Sequence, residues 1–276
     1  MIKKAIIFGA GYTGRNALRV CRKKKIKVLF FVDNNKKFQN KKVLGKKIYS
    51  PNLIKKTKFD KIIISGRYNK QIINQLKFMK IDYNKYLIWG KKELRLSKKI
   101  LNKRNLVILR ALKKIIFYLR KFKIKFWIDL GALLFLLRKQ DLAETSDVDI
   151  ISNYSDLLKL EKICKEISQK NKNYLFKKRS IYKSKLLNKS NINQLSLIKI
   201  NNKNLNFEPA IFEFNLLVKK NKYGENLAKR KILNLKYWNG QNFIKYKNIL
   251  LPVPINAQNY LSKIYGDNWK VKKNFF

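Results

Sequence analysis

The sequence predicts an α/β protein with two domains: one built on a parallel sheet over residues 1–92, and an α+β domain over residues 98–276. The length of 276 residues fits about two domains, and a hydrophobic content of 46% is enough for two cores. A glycine-rich turn joins a predicted strand to a predicted helix at the start of the chain. A second glycine-to-helix turn near the midpoint leads to a strand that carries two aspartates.

The first glycine-rich turn follows an apolar strand at residues 4–8 and precedes a helix. A second strand, at residues 26–32, ends in an acidic residue. This order is typical of a Rossmann-like unit, in which the glycines permit a tight turn and the close approach of a phosphate. The acid after the second strand can accept a hydrogen bond from a ribose hydroxyl. The residues predicted to bind a nucleotide are Gly9, Gly11, Gly14 and Asp33.

The same segment resembles the nucleotide-sugar-binding N-terminal domain that is fused to many surface-glycan enzymes. The resemblance rests on the strand end Phe-Val-Asp33-Asn34-Asn and on the connection that contains Gly45, Ile48 and Pro51. It implies a nucleotide or nucleotide-sugar held at the N-terminus of the first helix. The alternative is a scaffold that is kept for docking or assembly and has lost its ligand.

The remaining segments before the midpoint complete the first domain and introduce the second. Apolar runs predict strands at residues 59–65 and 85–89, and an amphipathic helix at residues 68–79. Residues 100–120 predict one long helix with an apolar stripe and many basic residues away from it. Such a helix either packs against the domain that follows, which we expect, or makes a peripheral contact with an anionic membrane.

The stretch near the midpoint carries the chemistry. A short apolar strand at residues 126–130 is followed by Gly131, a helix up to Arg138, and a strand that begins Asp147-Val-Asp149-Ile. Because side chains alternate along a strand, the two aspartates share one face and lie about 7 Å apart. Carboxylates in this arrangement suit Mg²⁺, which prefers anionic oxygen ligands. This order of elements is the usual layout of the nucleotidyltransferase fold.

These residues also resemble the signature of the LicD family, and so does the end of the chain. The matching segments are Gly131-Ala-Leu-Leu, Arg138, Asp147-Val-Asp149-Ile, Leu251-Pro-Val-Pro254, Tyr260-Leu261 and Tyr265-Gly-Asp-Asn-Trp269. The resemblance covers the chain from about Leu106 to its C-terminus. It implies Mg²⁺-dependent transfer of phosphocholine, a polyol phosphate or a similar group. The donor would be CDP-activated, and the acceptor a cell-surface glycan or a lipid-linked precursor of one.

A third carboxylate is expected from a later strand. A helix is predicted at residues 155–169, capped by Ser155 and Asp156, and strands at residues 174–179, 194–200 and 205–218. The last strand contains Glu208 and Glu213, which are five residues apart and face opposite ways, so that one of them can reach the metal. Glu213 is the choice, because its strand is similar to a strand of the family.

The resemblance also implies a role for each residue of the site. Asp147 and Asp149 hold Mg²⁺, and Glu213 either completes the metal site or takes the proton of the acceptor hydroxyl. Arg138 binds a phosphate as a bidentate fork, and Gly131 lets the backbone approach the donor. Asp129 either orients a substrate or has a structural role. The sequence departs from the family pattern at Ala132, Phe135, Glu144 and Thr145. The departures leave open Glu144 as a substitute ligand, one metal instead of two, or an inactive relative.

Composition excludes some classes of function and leaves others open. The chain has no histidine, so catalysis has to rely on carboxylates, lysine, tyrosine or a metal. The net charge of +50 is spread along the whole chain, which is typical of codon bias, and otherwise indicates attraction to polyanions. No motif for sequence-specific nucleic-acid binding is present. Two alternatives remain: a nucleic-acid-binding or nucleotide-adding protein, and a non-catalytic assembly or sugar-nucleotide-sensing protein.

The expected location is the cytoplasm, with the inner face of the membrane as an alternative. Cys21 and Cys164 fall in different predicted domains, as expected of unpaired thiols in a reducing compartment. No secretory signal or apolar run of the roughly 20 residues that span a membrane is expected.

Overall fold

The computed structural model describes residues 2–66, 68–94, 97–199 and 210–271. The chain forms two compact units, of which the first comprises Met1–Ser97 and the second begins at Lys98. The Asn201–Asn204 connection and Glu208, the alternative third carboxylate, lie outside the described residues.

The first unit is a six-stranded sheet with helices on both faces. Its elements are β1 (Lys4–Phe8), α1 (Tyr12–Lys23), β2 (Lys27–Val32), β3 (Lys42–Val43), β4 (Lys46–Tyr49), β5 (Lys61–Ile64), α2 (Asn69–Phe78), β6 (Tyr86–Ile88) and α3 (Lys91–Leu94). The strand order is β3-β4-β2-β1-β5-β6. All neighbours pair in parallel except the short β3, which is antiparallel to β4. Without β3, this is the 3-2-1-4-5 order of a doubly wound sheet.

The alternation of side chains along β1 explains why both faces of this sheet are covered. Ile7 belongs to one buried cluster with Ala17 and Leu18 of α1, whereas Ile6 belongs to another with Leu76 of α2. A strand that is apolar on both faces requires a helix on each, as in α/β folds. The strand predicted at residues 4–8 has the predicted bounds, and the others are shorter than predicted by a few residues.

The second unit contains a seven-stranded mixed sheet, a two-stranded sheet and four helices in its described part. Its elements are α4 (Lys98–Lys121), β7 (Phe126–Ile128), α5 (Leu130–Leu137), β8 (Asp147–Asn153), α6 (Leu157–Lys170), β9 (Tyr174–Ser184), β10 (Lys189–Lys199), β11 (Ala210–Lys220), β12 (Tyr223–Asn226), β13 (Lys231–Asn234), β14 (Asn242–Tyr246), β15 (Ile249–Val253) and α7 (Ala257–Tyr265). The predicted fold class, a parallel α/β sheet followed by an α+β domain, is confirmed.

The strand β11 is the centre of the large sheet. It pairs antiparallel with β10 through residues 210–214, in parallel with β8 through residues 211–217, and antiparallel with β12 through residues 217–220. β7 pairs antiparallel with β8, β9 with β10, and β13 with β12. The parallel pair β8–β11 therefore brings a strand from the middle of the chain beside one from its last third.

The long helix α4 packs its apolar stripe into the core. The buried residues of this stripe are Ile108, Leu112, Ile115, Ile116 and Leu119. The stripe is therefore not available for a membrane surface, as we expected from the sequence. In the described part of the chain, no helix is both long and apolar enough to cross a membrane.

One predicted helix start is wrong. The sequence predicts a helix from residue 155 with Ser155 and Asp156 as caps, but α6 begins at Leu157 after a 3-10 turn at Tyr154–Asp156. Asp156 is at the N-cap position, but its side chain makes no capping hydrogen bond. The carboxylate instead lies 3.8 Å from the ammonium of Lys159, one turn along the helix.

Candidate metal centre

Three carboxylates converge on one face of the large sheet. Asp147 and Asp149 alternate along β8 with the buried Val148, so both point to the same side. Glu213 lies directly beside Asp149 on the neighbouring parallel strand β11. One carboxylate oxygen from each of the three residues lies within 4.8 Å of the others. The predicted juxtaposition of the two aspartates is therefore present, together with Glu213.

Main-chain N–H groups at the start of α5 donate hydrogen bonds to Asp149. The main-chain N–H of Gly131 donates to Asp149 Oδ2 at 3.0 Å, and the N–H of Asp129 donates to the main-chain carbonyl of Asp149 at 3.0 Å. The turn between β7 and α5 places Leu130 at φ +44°, a left-handed conformation that is unfavourable for a residue with a side chain. This strained turn directs the first amides of the helix toward the acids.

Neighbouring strands fix the carboxylates from the side. Asn215 of β11 donates from Nδ2 to Asp149 Oδ1 at 3.2 Å, and it accepts from the hydroxyl of Tyr182 at 2.6 Å. Gln194 of β10 donates from Nε2 to Glu213 Oε2 at 3.2 Å. Tyr182, Gln194 and Asn215 are not among the site residues predicted from the sequence. For Asn215 a signal was present, because it is a polar residue within the apolar run at residues 214–218 of β11. Gln194 does not stand out in the same way, because β10 is rich in polar residues.

Burial and repulsion from neighbouring acids raise the pKa of two of these acids, Asp149 and Glu213. The pKa of Asp149 is raised well above its usual value by burial first, and then by the charges of Asp147, Asp129 and Glu213. The pKa of Glu213 is raised by burial and by Asp147, and the nearby Arg179 opposes this shift. A divalent cation would remove the repulsion.

The donor set also indicates which cation fits. Three carboxylates in a chain without histidine suit a hard cation that prefers oxygen, such as Mg²⁺ or Mn²⁺, better than Zn²⁺. The residues that could hold it are Asp147, Asp149 and Glu213. Glu144, considered from the sequence as a substitute ligand, is exposed and is not a member of this group. Thr145 is buried and donates from Oγ1 to the main-chain carbonyl of Asp147 at 3.0 Å.

Asp129 is enclosed in the fold. It is fully buried, and its two carboxylate oxygens accept from the hydroxyl of Tyr260 and from Nδ2 of Asn226, each at 2.7 Å. Burial raises its pKa to about 6, although the hydrogen bond from Tyr260 partly offsets this. Of the two roles that the sequence left open, these contacts favour the structural one, because Asp129 ties the turn before α5 to β12 and α7.

The structure gives Arg138 partners other than the acids. It follows the last residue of α5, about 10 Å along the helix from Gly131 at 1.5 Å per residue. Its Nη2 donates to the carbonyl oxygens of Trp269 and of Val271, the latter at 2.8 Å. Burial lowers the pKa of this guanidinium. The group expected to bind a phosphate therefore fastens the C-terminal segment to α5.

The helix α4 supports the strand that carries the aspartates. Arg104 is only 1% exposed, and its Nη1 donates to the carbonyl oxygens of Ala143 and of Thr145, the latter at 2.7 Å. Asn105 beside it donates to Asp141 Oδ2 at 2.9 Å. The turn that leads into β8 is thus held from one side by two adjacent residues of the helix.

The glycine-rich turn of the first unit requires glycine at two of its positions. Gly9 has φ +95°, and a Cβ on Gly14 would lie 1.8 Å from the carbonyl oxygen of Gly9, so both positions require glycine. A Cβ on Gly11 would meet none of the described residues within 4 Å, which leaves the start of α1 open. Asp33 braces the turn, because its carboxylate accepts from the N–H groups of Ala10 and Asn35, each at 2.8 Å.

A buried hydroxyl lies next to this turn. Thr13 Oγ1 donates to the main-chain carbonyl of Ser65 at 3.1 Å, so the end of β5 contacts the start of α1. Ser65 is 5% exposed, and its hydroxyl has no hydrogen-bond partner among the described residues. Buried polar groups are normally satisfied, so this hydroxyl is a candidate to contact a ligand.

Comparisons with known proteins find one family match and structural similarities of low TM-score. Residues 1–88 match a family described as C2185-like, N-terminal. No curated protein matches the chain. UDP-D-quinovosamine 4-dehydrogenase from Vibrio fischeri is 23% identical over 32% of this chain and 76% of its own, with a TM-score of 0.26. The lincomycin-bound lincosamide antibiotic adenylyltransferase LnuA is 13% identical over 60% of this chain and 94% of its own, with a TM-score of 0.37. At these TM-scores neither structure defines the chemistry of this chain.

Proposed function

We propose that this chain is a divalent-cation-dependent phosphotransferase. It would transfer phosphocholine, a polyol phosphate or a similar group from a CDP-activated donor to a cell-surface glycan or its lipid-linked precursor. The observation that carries the proposal is the group of three carboxylates, Asp147, Asp149 and Glu213, that lie within 4.8 Å of one another below the start of α5.

The arrangement of strands supports this proposal. β7 is followed by α5, which has Gly131 in its first turn, and then by the Asp-x-Asp strand β8. The parallel neighbour β11 supplies the third carboxylate. This is the layout expected of a nucleotidyltransferase-type site. The choice of donor and transferred group comes from the resemblance to the LicD family. That resemblance rests on Gly131, on the motif from Asp147 to Asp149, and on the segment from Leu251 to Trp269.

The residues of the chain have separate tasks in the proposed reaction. Asp147 and Asp149 would hold Mg²⁺, which when bound supplies positive charge to the diphosphate of the donor. The acceptor hydroxyl oxygen would form a bond to the phosphorus of the transferred group, and the bond from that phosphorus to the bridging oxygen would break. CMP would leave with the electron pair. Glu213 would take the hydroxyl proton or complete the cation site, and its raised pKa suits the first task.

The first unit would bind a nucleotide or a nucleotide-sugar. The open start of α1 at Gly11 and the unpartnered hydroxyl of Ser65 support this part of the proposal. A lipid-linked acceptor would bring the protein to an anionic membrane, to which a chain of net charge +50 is attracted.

A thermal-shift experiment tests the proposal. CDP-choline, CDP-glycerol, CDP-ribitol and UDP-sugars are added to the full chain and to Asp147→Asn, with and without MgCl2. A CDP-linked donor should raise the melting temperature of the unaltered chain only with Mg²⁺, and should have no effect on Asp147→Asn. A UDP-sugar bound by the first unit should stabilise both proteins without Mg²⁺.

Other outcomes would indicate the competing functions. If CDP-linked donors stabilise the protein equally with and without Mg²⁺, and equally in Asp147→Asn, the transferase is rejected. Absence of Mg²⁺ binding, with an unchanged cellular role in Asp147→Ala, would indicate a non-catalytic assembly protein. Salt-sensitive binding to RNA that does not require Asp147 and Asp149 would indicate a nucleic-acid-binding protein.

A further inference from the structure

The engagement of Arg138 by the C-terminal segment leaves the acidic triad without its expected cationic partner. Transfer of a phospho-group requires cationic side chains or hydrogen-bond donors near the developing negative charge. If the proposed function holds, another basic residue near the triad should therefore provide the anion-binding group.

We infer that Arg179 of β9, assisted by Lys177, binds the diphosphate of the donor beside Asp149 and Glu213. This inference rests on the proposed function and names the residue that recognises the anionic part of its substrate. Arg179 takes the place that the sequence analysis assigned to Arg138.

The register of the sheet places these basic residues on the face of the acids. Asp149 pairs with Glu213, Glu213 pairs with Ser196, and Ser196 pairs with Lys177. Residues that are directly opposite each other in neighbouring strands project to the same side of a sheet. One row across four strands thus carries two acids, a small hydroxyl residue and a base.

The next row on the same face, two residues along each strand, contains Arg179. Arg179 pairs with Gln194, whose side chain donates to Glu213 at 3.2 Å. Two strand spacings and an offset of two residues separate the backbones of Arg179 and Glu213 by roughly 12 Å. An arginine side chain spans about half of that distance, and the charge of Arg179 already acts on the carboxylate of Glu213. The gap that remains suits a diphosphate group.

Arg179 is also available to a ligand. It is exposed, and within the described part of the chain its guanidinium donates no hydrogen bond and forms no salt bridge. Its neighbour Lys178, which points to the other face, is instead paired with Glu161 at 2.7 Å. On one face of β9, Lys178 is therefore paired with α6, whereas Lys177 and Arg179 lie on the face of the acids.

The experiment measures the binding of CDP to the full chain by isothermal titration calorimetry in saturating MgCl2. Arg179→Gln should raise the Kd for CDP about tenfold or more, because a charge-assisted bidentate contact is lost. Arg179→Lys should give a smaller loss, since it keeps the charge without the fork. Arg110→Gln is the matched control, because it removes an exposed arginine from α4, and its Kd for CDP should not change.

Two further measurements separate anion binding from a structural effect. Cytidine, which has no phosphate, should bind equally to Arg179→Gln and to the unaltered chain. Mn²⁺ binding without nucleotide, followed by electron paramagnetic resonance, should be unchanged or tighter, because a positive charge near the triad is removed. Circular dichroism melting verifies that each variant is folded.

The results distinguish failure of this inference from failure of the proposed function. If the unaltered chain binds CDP in a Mg²⁺-dependent way and Arg179→Gln binds it within a factor of two, the assignment of Arg179 is overturned and the transferase remains. If the unaltered chain does not bind CDP, both are rejected.

Discussion

The N–H of Gly131 donates to Asp149 Oδ2 at 3.0 Å, and a Cβ at position 131 would lie 3.1 Å from that same oxygen. Gly131→Ala must therefore displace the carboxylate by a few tenths of an ångström. Alanine favours the helix over glycine by up to about 1 kcal/mol, which offsets the crowding. We expect the free energy of unfolding to change by less than about 1 kcal/mol while the Kd for Mn²⁺ rises several-fold.

Urea denaturation and Mn²⁺ titration monitored by electron paramagnetic resonance provide the two measurements. Gly11→Ala is the control, because it is also at a helix start and its Cβ would meet none of the described residues within 4 Å. An unchanged affinity for Mn²⁺ in Gly131→Ala would contradict the role of this contact.

Removal of one charge from the triad should stabilise the protein when no cation is bound. The charge of Asp147 raises the pKa of both Asp149 and Glu213, so Asp147→Asn relieves repulsion at two residues. Without divalent cations we expect a gain of about 1 kcal/mol in the free energy of unfolding. With saturating MgCl2 the unaltered chain should gain stability and the variant should not.

Thermal melting with and without Mg²⁺ gives the comparison. Asp156→Asn removes an acid beyond the end of β8 that lies near Lys159 instead of the triad. This control should keep the full response to Mg²⁺. Equal responses in Asp147→Asn and the unaltered chain would show that Asp147 holds no cation.

Asp129 should make the stability of the metal-free protein fall as pH rises. Its folded-state pKa of about 6 is above the value of 3.8 expected in the unfolded chain. The stabilising contribution of its protonated form is complete below about pH 4 and is lost as pH rises through 6. The folded and unfolded pKa values differ by about 2, which corresponds to a loss of about 3 kcal/mol in the free energy of unfolding.

Urea denaturation across this pH range should show a shallower decline for Asp129→Asn. The variant also disturbs the hydrogen bonds to Tyr260 and Asn226, but that cost does not depend on pH. Asp60 provides a contrast of opposite sign: its pKa is lowered by backbone hydrogen bonds from Lys4 and Lys3, so its stabilising contribution is lost as pH falls. Parallel curves for Asp129→Asn and the unaltered chain would contradict the prediction.

The hydroxyl of Tyr182 should matter for cation binding as well as for stability. It donates to Asn215 at 2.6 Å, and Asn215 in turn donates to Asp149 at 3.2 Å. Tyr182→Phe should cost about 1–2 kcal/mol and raise the Kd for Mn²⁺ several-fold, because the amide of Asn215 becomes free to turn. In Tyr237→Phe, which loses a hydrogen bond of 2.8 Å to Asn259, only stability should fall. The same Mn²⁺ affinity in both variants would reject the coupling.

Arg138 should act on stability alone. Arg138→Gln removes the hydrogen bonds to the carbonyl groups of Trp269 and Val271, at a cost of about 1–3 kcal/mol. At a temperature where the variant is folded, its Kd for CDP should equal that of the unaltered chain. A large loss of CDP affinity with little loss of stability would restore the role that the sequence analysis assigned to Arg138.

Local periodicity explains which parts of the site were predictable. The placement of Asp147 and Asp149 on one face follows from the period of two along a strand, and this property does not depend on the rest of the fold. The start of α1 was predictable for the same kind of reason, because the need for glycine at Gly9 and Gly14 is set within a few residues. The choice of Glu213 over Glu208 came from the similarity of its strand to a strand of the LicD family, because strand alternation alone allows either residue.

The residues that surround the acids depend on contacts between distant segments. Tyr182, Gln194 and Asn215 meet the triad through the register of β9, β10 and β11, which the composition of a single strand does not determine. Arg138 was predicted at the end of α5, but its partners belong to a segment more than a hundred residues later. Sequence patterns place a long side chain on its element and do not identify the group that it reaches.

The hydrogen bonds from Arg104 to the turn before β8 determine how this protein can be divided into fragments. A fragment that starts at β7 would contain every acid of the triad and still lack the buried guanidinium that fastens their strand. The carbonyl oxygens of Ala143 and Thr145 would then lose a charged donor, and the ligand geometry would loosen. The smallest piece of the chain that can be expected to retain a working cation site therefore begins with the helix at Lys98.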